Sequence, residues 1–414
     1  MKTILLISAI AAIIGFCTPS NVSRNTTAPI EAVKESSNAQ TIKTGAEQTE
    51  KYLPLLKGKR VGILGNPTTV IGKTHLVDSL KKLGVQIIKV FGPEHGFRGN
   101  ASAGAVVKDE TDIATGIKIV SLYGKKTKPS AEDLSDVDIL IFDIQDVGCR
   151  FYTYINVLSH VMEACADNNK ELLILDRPNP NGYLVDGPIL DMSLKSGIGI
   201  FPIPIAHGMT IGEFAQMING EGWLPEKKQC KIKIIPVANY NHDMAYTLPV
   251  PPSPNLNTQQ SILLYPSLCP FEGTILSQGR GTHFPFTVLG APALKGKYSF
   301  EFTPVSIKGM AETPLHQDKA CYGLDLRKYP VEDLRASRKL NLKWMMELYK
   351  AYPEKEKFFD FSQSKQMGNI DKLIGVKAFK EQIASGVTEE VIRASWEPGL
   401  SNYKKMRTKY LLYP

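Results

Sequence analysis

The strongest constraint on the fold of this chain is a series of short apolar segments closed by glycine, proline or aspartate and separated by helix-length stretches. Residues 60–64, 85–91, 137–142 and 172–175 have this form, and 117–122 and 231–237 are similar runs without the closing residue. Runs this short and apolar read as buried strands. Between them, Thr74 is placed to cap a helix carrying Leu76, Leu80 and Leu83 on one face, with Gly84 as its stop. Residues 154–166 fit a helix burying Val157, Leu158, Val161 and Met162. Thr210-Ile211-Gly212-Glu213 has capping-box spacing ahead of a helix through Ile218. Apolar strands alternating with helices predict an α/β fold: a parallel sheet covered on both faces, Rossmann-like in architecture.

The alternation stops in the second half. Proline-rich residues 249–254 and the loops over 267–286 break it, and residues 334–349 and 370–396 read as helices of a smaller domain. A chain of 414 residues is long for one core. The expected division is a Rossmann-like domain over 51–265 and a smaller α/β C-terminal domain over 266–414.

Residues 1–17 read as an export signal, with Lys2 before an apolar stretch over 4–16 too short to span a bilayer. Cys17 follows that stretch, as in lipidated bacterial cysteines, although Phe16 stands where such sites want a small residue. The expectation is an exported, periplasmic or envelope-associated protein, touching a membrane only through a lipid on Cys17. Residues 18–50 are poor in large apolar side chains and read as a flexible tether. It carries two formal glycosylation acceptors, at Asn21 and Asn25. Beyond Cys17 the chain has Cys149, Cys165, Cys230, Cys269 and Cys321 without zinc-site spacing, so either buried thiols or one or two disulfides fit. A net charge of +8 without a Lys/Arg block gives no support for nucleic-acid binding.

The turn after the first strand, Gly65-Asn66-Pro67 through Gly72-Lys73-Thr74, ends like a phosphate-binding loop. Pro67, which has no N–H, stands where a dinucleotide fold needs its second glycine. The acidic residues are more informative. The second strand runs into Gly92-Pro93-Glu94-His95-Gly96-Phe97-Arg98-Gly99, the fourth into Asp143-Ile144-Gln145-Asp146-Val147-Gly148, and the fifth into Asp176-Arg177-Pro178-Asn179. In an open parallel sheet these carboxyl ends share one rim, where ligands bind. Asp143 and Asp176 serve equally well as turn caps. Glu94, a poor cap set between glycines, is the better functional candidate. His207 follows another strand-like end, and Glu272 and Arg280 flank a glycine-rich loop suited to presenting a guanidinium to a carboxylate or phosphate. Glu213 reads as the reciprocal acceptor of its capping box.

Five segments in this order resemble one family: Gly65-Asn66-Pro67, Gly92 through Gly99, Phe142 through Gly148, Asp176 through Pro180, and Glu272-Gly273-Thr274. Together they resemble the exo-acting β-N-acetylmuramidases of the NamZ type, formerly a domain of unknown function, over essentially all of the chain after residue 50. The resemblance implies a Rossmann-like catalytic domain, a C-terminal auxiliary domain and a cleft between them. It implies release of N-acetylmuramic acid from non-reducing ends of peptidoglycan fragments (muropeptides or disaccharides) with no metal or organic cofactor, and Glu94 as the catalytic residue. Glycoside hydrolysis needs an acid at the leaving oxygen and usually a second carboxylate. Glu94 is the expected acid, with His95 and Arg98 shaping its site. Asp143, Asp176 and Glu272 compete for the second role, Asp143 placed first. Arg280, ahead of Arg150 and Arg177, is the expected reader of the lactyl carboxylate of muramic acid. Tyr152 and Tyr154 are either sugar platforms or core, and Asn179 and His207 complete the expected binding set. Two rivals remain at this point: a metal-dependent phosphohydrolase using the strand-end aspartates, and a non-catalytic muropeptide-binding envelope protein.

Overall fold

Alternation within each apolar run decides which side of the sheet a residue covers. Val61, Ile63, Ile139 and Ile141 point to one face, where they pack with Leu56, Leu76, Val77 and Leu80. Leu64, Leu140 and Phe142 point to the other, against Leu158, Val161, Met162, Phe214 and Met217. The structure, a computed structural model, describes residues 41–94, 96–98, 110–124, 126–360 and 369–414. Its six parallel strands are β1 (Val61–Gly65), β2 (Ile87–Gly92), β3 (Lys118–Ser121), β4 (Ile139–Asp143), β5 (Glu171–Leu175) and β6 (Lys231–Ile235). Their order across the sheet is 3-2-1-4-5-6, with a short antiparallel strand Glu110–Thr111 beyond β3. This is the doubly wound order, and it reverses direction between β1 and β4, where carboxyl-end loops diverge and leave a crevice. The α/β, Rossmann-like expectation holds.

The second half supplies an antiparallel three-stranded sheet with Cys321–Asp325 between Val288–Ala291 and Phe300–Phe302, plus a set of helices. The helix expected over 334–349 is two, Val331–Ser337 and Lys343–Ala351, separated at Arg338, whose φ of 50° is left-handed. The one expected over 370–396 is three, Ile370–Ile374, Phe379–Ala384 and Glu389–Arg407. Apolar periodicity continues across these breaks, but left-handed glycines end the segments at Gly375 (φ 97°) and Gly386 (φ 68°). The helix Gln259–Leu268 runs through residue 265. One buried core extends from Val147 and Phe151 through Leu264 and Phe271 to Leu348 and Trp396, so the halves share their interior.

Residues 41–50 are not a tether. Ala46 is fully buried, Gln48 Nε2 donates to the Pro236 carbonyl at 2.7 Å, and Gly45 N–H donates to Asp176 O at 2.7 Å. A Cβ at Gly45 would lie 2.6 Å from Asp176 N. The small residues that suggested flexibility are what let the chain lie against the sheet. The far end joins it there: Tyr413 Oη donates to Asp176, and His242 N–H donates to Pro414 O at 3.0 Å. The helix Leu76–Lys82 starts one residue later than expected, with His75 Nδ1 accepting from Val77 N–H, and it leaves Leu83 outside and half exposed. The five described cysteines are buried and unpaired. Among the described residues no helix is long and apolar enough to cross a membrane. The signal segment and Cys17 lie outside the described residues, as do Asn21 and Asn25.

Candidate active site

The turn after β1 is a clamp. Asn66 Oδ1 accepts from Thr68 N–H and Oγ1, Thr68 Oγ1 accepts from Gln145 N–H at 3.0 Å, and Thr69 Oγ1 donates to the Asp143 carbonyl. These bonds fasten the β1 loop to the β4 loop across the point where the strand order reverses. Asn66 Nδ2 then donates to Tyr154 Oη at 2.8 Å, fixing a tyrosine at the start of the helix Tyr154–Asp167. The Gly-Asn-Pro motif therefore scaffolds the crevice.

Beside that tyrosine lies a cavity of about 80 Å³. It is lined by Glu94, Tyr152, Thr153, Tyr154, Ser253, Asn255, Leu256, Tyr265, Arg280 and Phe286. Glu94 comes from the end of β2, the tyrosines from the loop after β4, and Arg280 and Phe286 from the second half of the chain. Tyr152 stands edge-on to Tyr154 and Tyr265, and Tyr265 edge-on to Phe286, with centroids 5.0–6.0 Å apart. Tyr152 Oη donates to Pro252 O at 2.8 Å. Tyr123, just beyond β3, donates its hydroxyl to Glu94 Oε1 at 3.1 Å. Burial and the Glu94 charge push the Tyr123 hydroxyl up to about 12, so it remains a donor at ordinary pH.

Arg280 is held at one end. Its Nε donates to Glu272 Oε1 at 2.6 Å, and the guanidinium lies 4.9 Å from the Phe286 ring centre. Among the described residues neither terminal nitrogen has a hydrogen-bond acceptor, and the side chain retains 16% exposure. A cation so held, with its outer nitrogens unspent, is built to receive a carboxylate in the fork geometry. Glu272 is 1% exposed and serves to orient Arg280.

Glu94, Tyr152, Tyr154 and Arg280 are thus brought together. Asp143 is not. It is fully buried and takes both Arg177 Nε (2.6 Å) and Nη2 (2.9 Å), while Arg177 also donates to Val70 O. Burial raises the Asp143 carboxyl and Arg177 opposes it; the two form a closed pair, and neither reaches the cavity lining. Asp176 is likewise enclosed, accepting from Thr210 Oγ1, Gly212 N–H and Tyr413 Oη. Burial lifts it to about 6. Arg98 spends its guanidinium on Asp78 and Asp112 and lies in a different surface hollow with His75 and Lys73.

Arg150 is no substrate reader. It is fully buried, and its terminal nitrogens donate to the carbonyls of Pro188, Ile203, Leu373 and Ile374. With no carboxylate paired to it among the described residues, burial lowers its affinity for its proton. Asn179 is also structural. It bonds to Asn181 N–H and Met209 O, lying so close under Gly148 (φ 79°) that no side chain fits there. His207 is 1% exposed, accepts from Met209 N–H through Nδ1, and stands 3.5 Å from Asp146. In each case a polar strand-end residue closes a turn, which the spacing alone does not distinguish from lining a pocket. His95 lies outside the described residues.

Sequence reasoning missed Tyr123, Ser253, Asn255, Tyr265 and Phe286. Tyr123 obeys the same strand-end rule as Glu94 and was legible on that ground. Ser253 and Asn255 sit in the proline-rich stretch, which signals only a break. Glu94 is the only carboxylate among the described residues of the lining. Nor do any three described His, Cys, Asp or Glu residues gather to hold a metal ion. The strand-end aspartates a phosphohydrolase would use are committed to Arg177 and to Thr210, Gly212 and Tyr413.

Family models for the exo-β-N-acetylmuramidase NamZ match most of the chain, the N-terminal model over residues 61–260 and the C-terminal one over 263–413. The chain belongs to the NamZ family. A relative in Bacillus subtilis, the peptidoglycan β-N-acetylmuramidase NamZ, is 38% identical over 380 residues, covering 87% of this chain and 89% of that protein. Two crystal structures of DUF1343 family proteins from Bacteroides fragilis share the architecture. One has a TM-score of 0.81 at 44% identity, the other 0.74 at 29%, each covering 90% of this chain and 99% of the other. Both halves of this NamZ-family chain fall within that match, including the cavity that draws on each of them.

Proposed function

We propose that this chain is an exo-β-N-acetylmuramidase that releases N-acetylmuramic acid from the non-reducing ends of peptidoglycan fragments, with Glu94 as general acid. One observation carries the reading: a half-buried glutamate and a guanidinium whose outer nitrogens have no acceptor among the described residues line the same aromatic-walled cavity. The name of the Bacillus relative supports it. Glu94 delivers a proton to the glycosidic oxygen, the step hydrolysis requires. Arg280 pairs with the lactyl carboxylate, the group that sets muramic acid apart from glucosamine. Tyr152, Tyr154 and Tyr265 give flat faces for the pyranose ring. The working compartment we propose is the envelope, supported by the charged and apolar pattern of residues 1–17, with Cys17 as a lipid attachment point.

The test is hydrolysis of a chromogenic N-acetylmuramic acid β-glycoside by the unaltered protein and by Glu94→Gln, each with and without EDTA. Release that is abolished by Glu94→Gln and indifferent to chelator is expected. Near-normal release by Glu94→Gln removes the assignment; loss to EDTA favours metal-assisted hydrolysis instead.

A further inference from the structure

With Glu94 the single carboxylate among the described residues of the lining, the second chemical role remains to be filled. Asp143, Asp176 and Glu272 are held by Arg177, by Thr210 with Tyr413, and by Arg280. Moving any of them to an anomeric carbon would leave a buried cation or several buried donors unpaired. A second observation lies in the same cavity wall. Asn255 is 3% exposed, its Nδ2 donates to Met310 O at 2.8 Å, and its buried Oδ1 has no hydrogen-bond partner. A buried acceptor without a donor in a pocket wall calls for a partner, and a ligand N–H would supply one. The Nδ2 bond to Met310 fixes which end of the amide is the acceptor.

We propose that the nucleophile is the substrate's own 2-acetamido group, and that Asn255 Oδ1 holds its N–H. This inference rests on the muramidase reading above. The Glu94 carboxyl proton passes to the glycosidic oxygen as the C1–O bond breaks and its electron pair leaves with the aglycone. The acetamido carbonyl oxygen bonds to C1, giving an oxazolinium ion whose N–H carries much of the new positive charge. Asn255 Oδ1 accepts that N–H, a bond that strengthens as the charge develops. Water then adds to C1, its proton goes to the Glu94 carboxylate, and the C1–O bond to the acetamido group breaks, restoring the amide. Two displacements at C1 leave the β configuration. Tyr123, bonded to Glu94 Oε1, is a positioning residue for both proton transfers.

The experiment uses the full protein and aryl N-acetylmuramic acid β-glycosides in which the acetamide is replaced by mono-, di- and trifluoroacetamide, the aglycone kept constant. Fluorine weakens the carbonyl oxygen as a nucleophile, so kcat/KM is expected to fall with each one. Proton NMR of the first-formed sugar should show the β anomer, and Asn255→Ala should lower kcat on the order of a hundredfold. A flat fluorine series, an α first product, or unchanged kcat in Asn255→Ala overturns the inference. Failure of the unaltered protein to cleave any of these glycosides sinks the muramidase reading itself, and this inference with it.

Discussion

Arg280 Nε lies 2.6 Å from Glu272 Oε1, so one edge of the guanidinium is tied to a buried anion and the other faces the cavity that holds Glu94. An ion pair of this kind aims a side chain as well as stabilising it. Arg280→Lys keeps the charge but loses the fork. Its kcat/KM for an N-acetylmuramic acid glycoside should fall by about 10- to 100-fold, as for loss of a hydrogen bond to a charged group. The N-acetylglucosamine glycoside, which lacks the lactyl group, should lose little. Equal losses on both substrates would show that Arg280 does not read the carboxylate.

Tyr123 offers a narrower test. Its hydroxyl donates to Glu94 Oε1 at 3.1 Å, and Tyr123→Phe removes that donor while keeping the ring. A fall in kcat of about 3- to 10-fold with KM little changed matches the ordinary worth of such a bond. A change confined to KM would place Tyr123 on the substrate and not on the acid.

The enclosed pair Asp143–Arg177 predicts stability loss without catalytic specificity. Asp143→Ala leaves a buried guanidinium unpaired, a cost on the order of 3–5 kcal/mol, to be read from urea denaturation. Activity per folded molecule should stay within a few-fold. A protein of normal stability with abolished turnover would return Asp143 to the chemistry.

Asp176 gives a pH dependence whose sign can be worked out. Burial raises its carboxyl from 3.8 to about 6 in the folded protein. Between those values the native state binds more protons than the unfolded one, so stability falls as pH rises. The contribution is complete below about pH 4 and lost as pH climbs through 6; the amount is on the order of 3 kcal/mol. Asp176→Asn should flatten the unfolding free energy over that window. An unchanged slope would mean that Asp176 is not the group responsible.

How far the molecule is legible in its sequence depends on which residue is asked. The parallel sheet follows from the apolar runs, whose central members are buried on both faces, although its strand order does not, and Glu94 stands out because a glutamate between glycines has no capping role. Asp143, Asp176, Asn179 and His207 satisfy the same strand-end rule and yet turn inward. Spacing places a side chain at the rim but says nothing of the arginine or tyrosine that awaits it from a distant segment. Arg150 is the clearest case: its acceptors include Leu373 and Ile374, more than two hundred positions away. Asn255 was hidden for the opposite reason, since a proline-rich stretch has no periodicity to read.

Two segments far apart in sequence brace the same edge of the sheet. Asn239 Nδ2 donates to Thr41 O at 3.0 Å, and Pro414 O accepts from His242 N–H at 3.0 Å, so both are stitched to one short stretch beyond β6. Loosening that stretch should free the outer strand β6 before the centre of the sheet, read as faster amide exchange over Lys231–Ile235 than over Val61–Gly65.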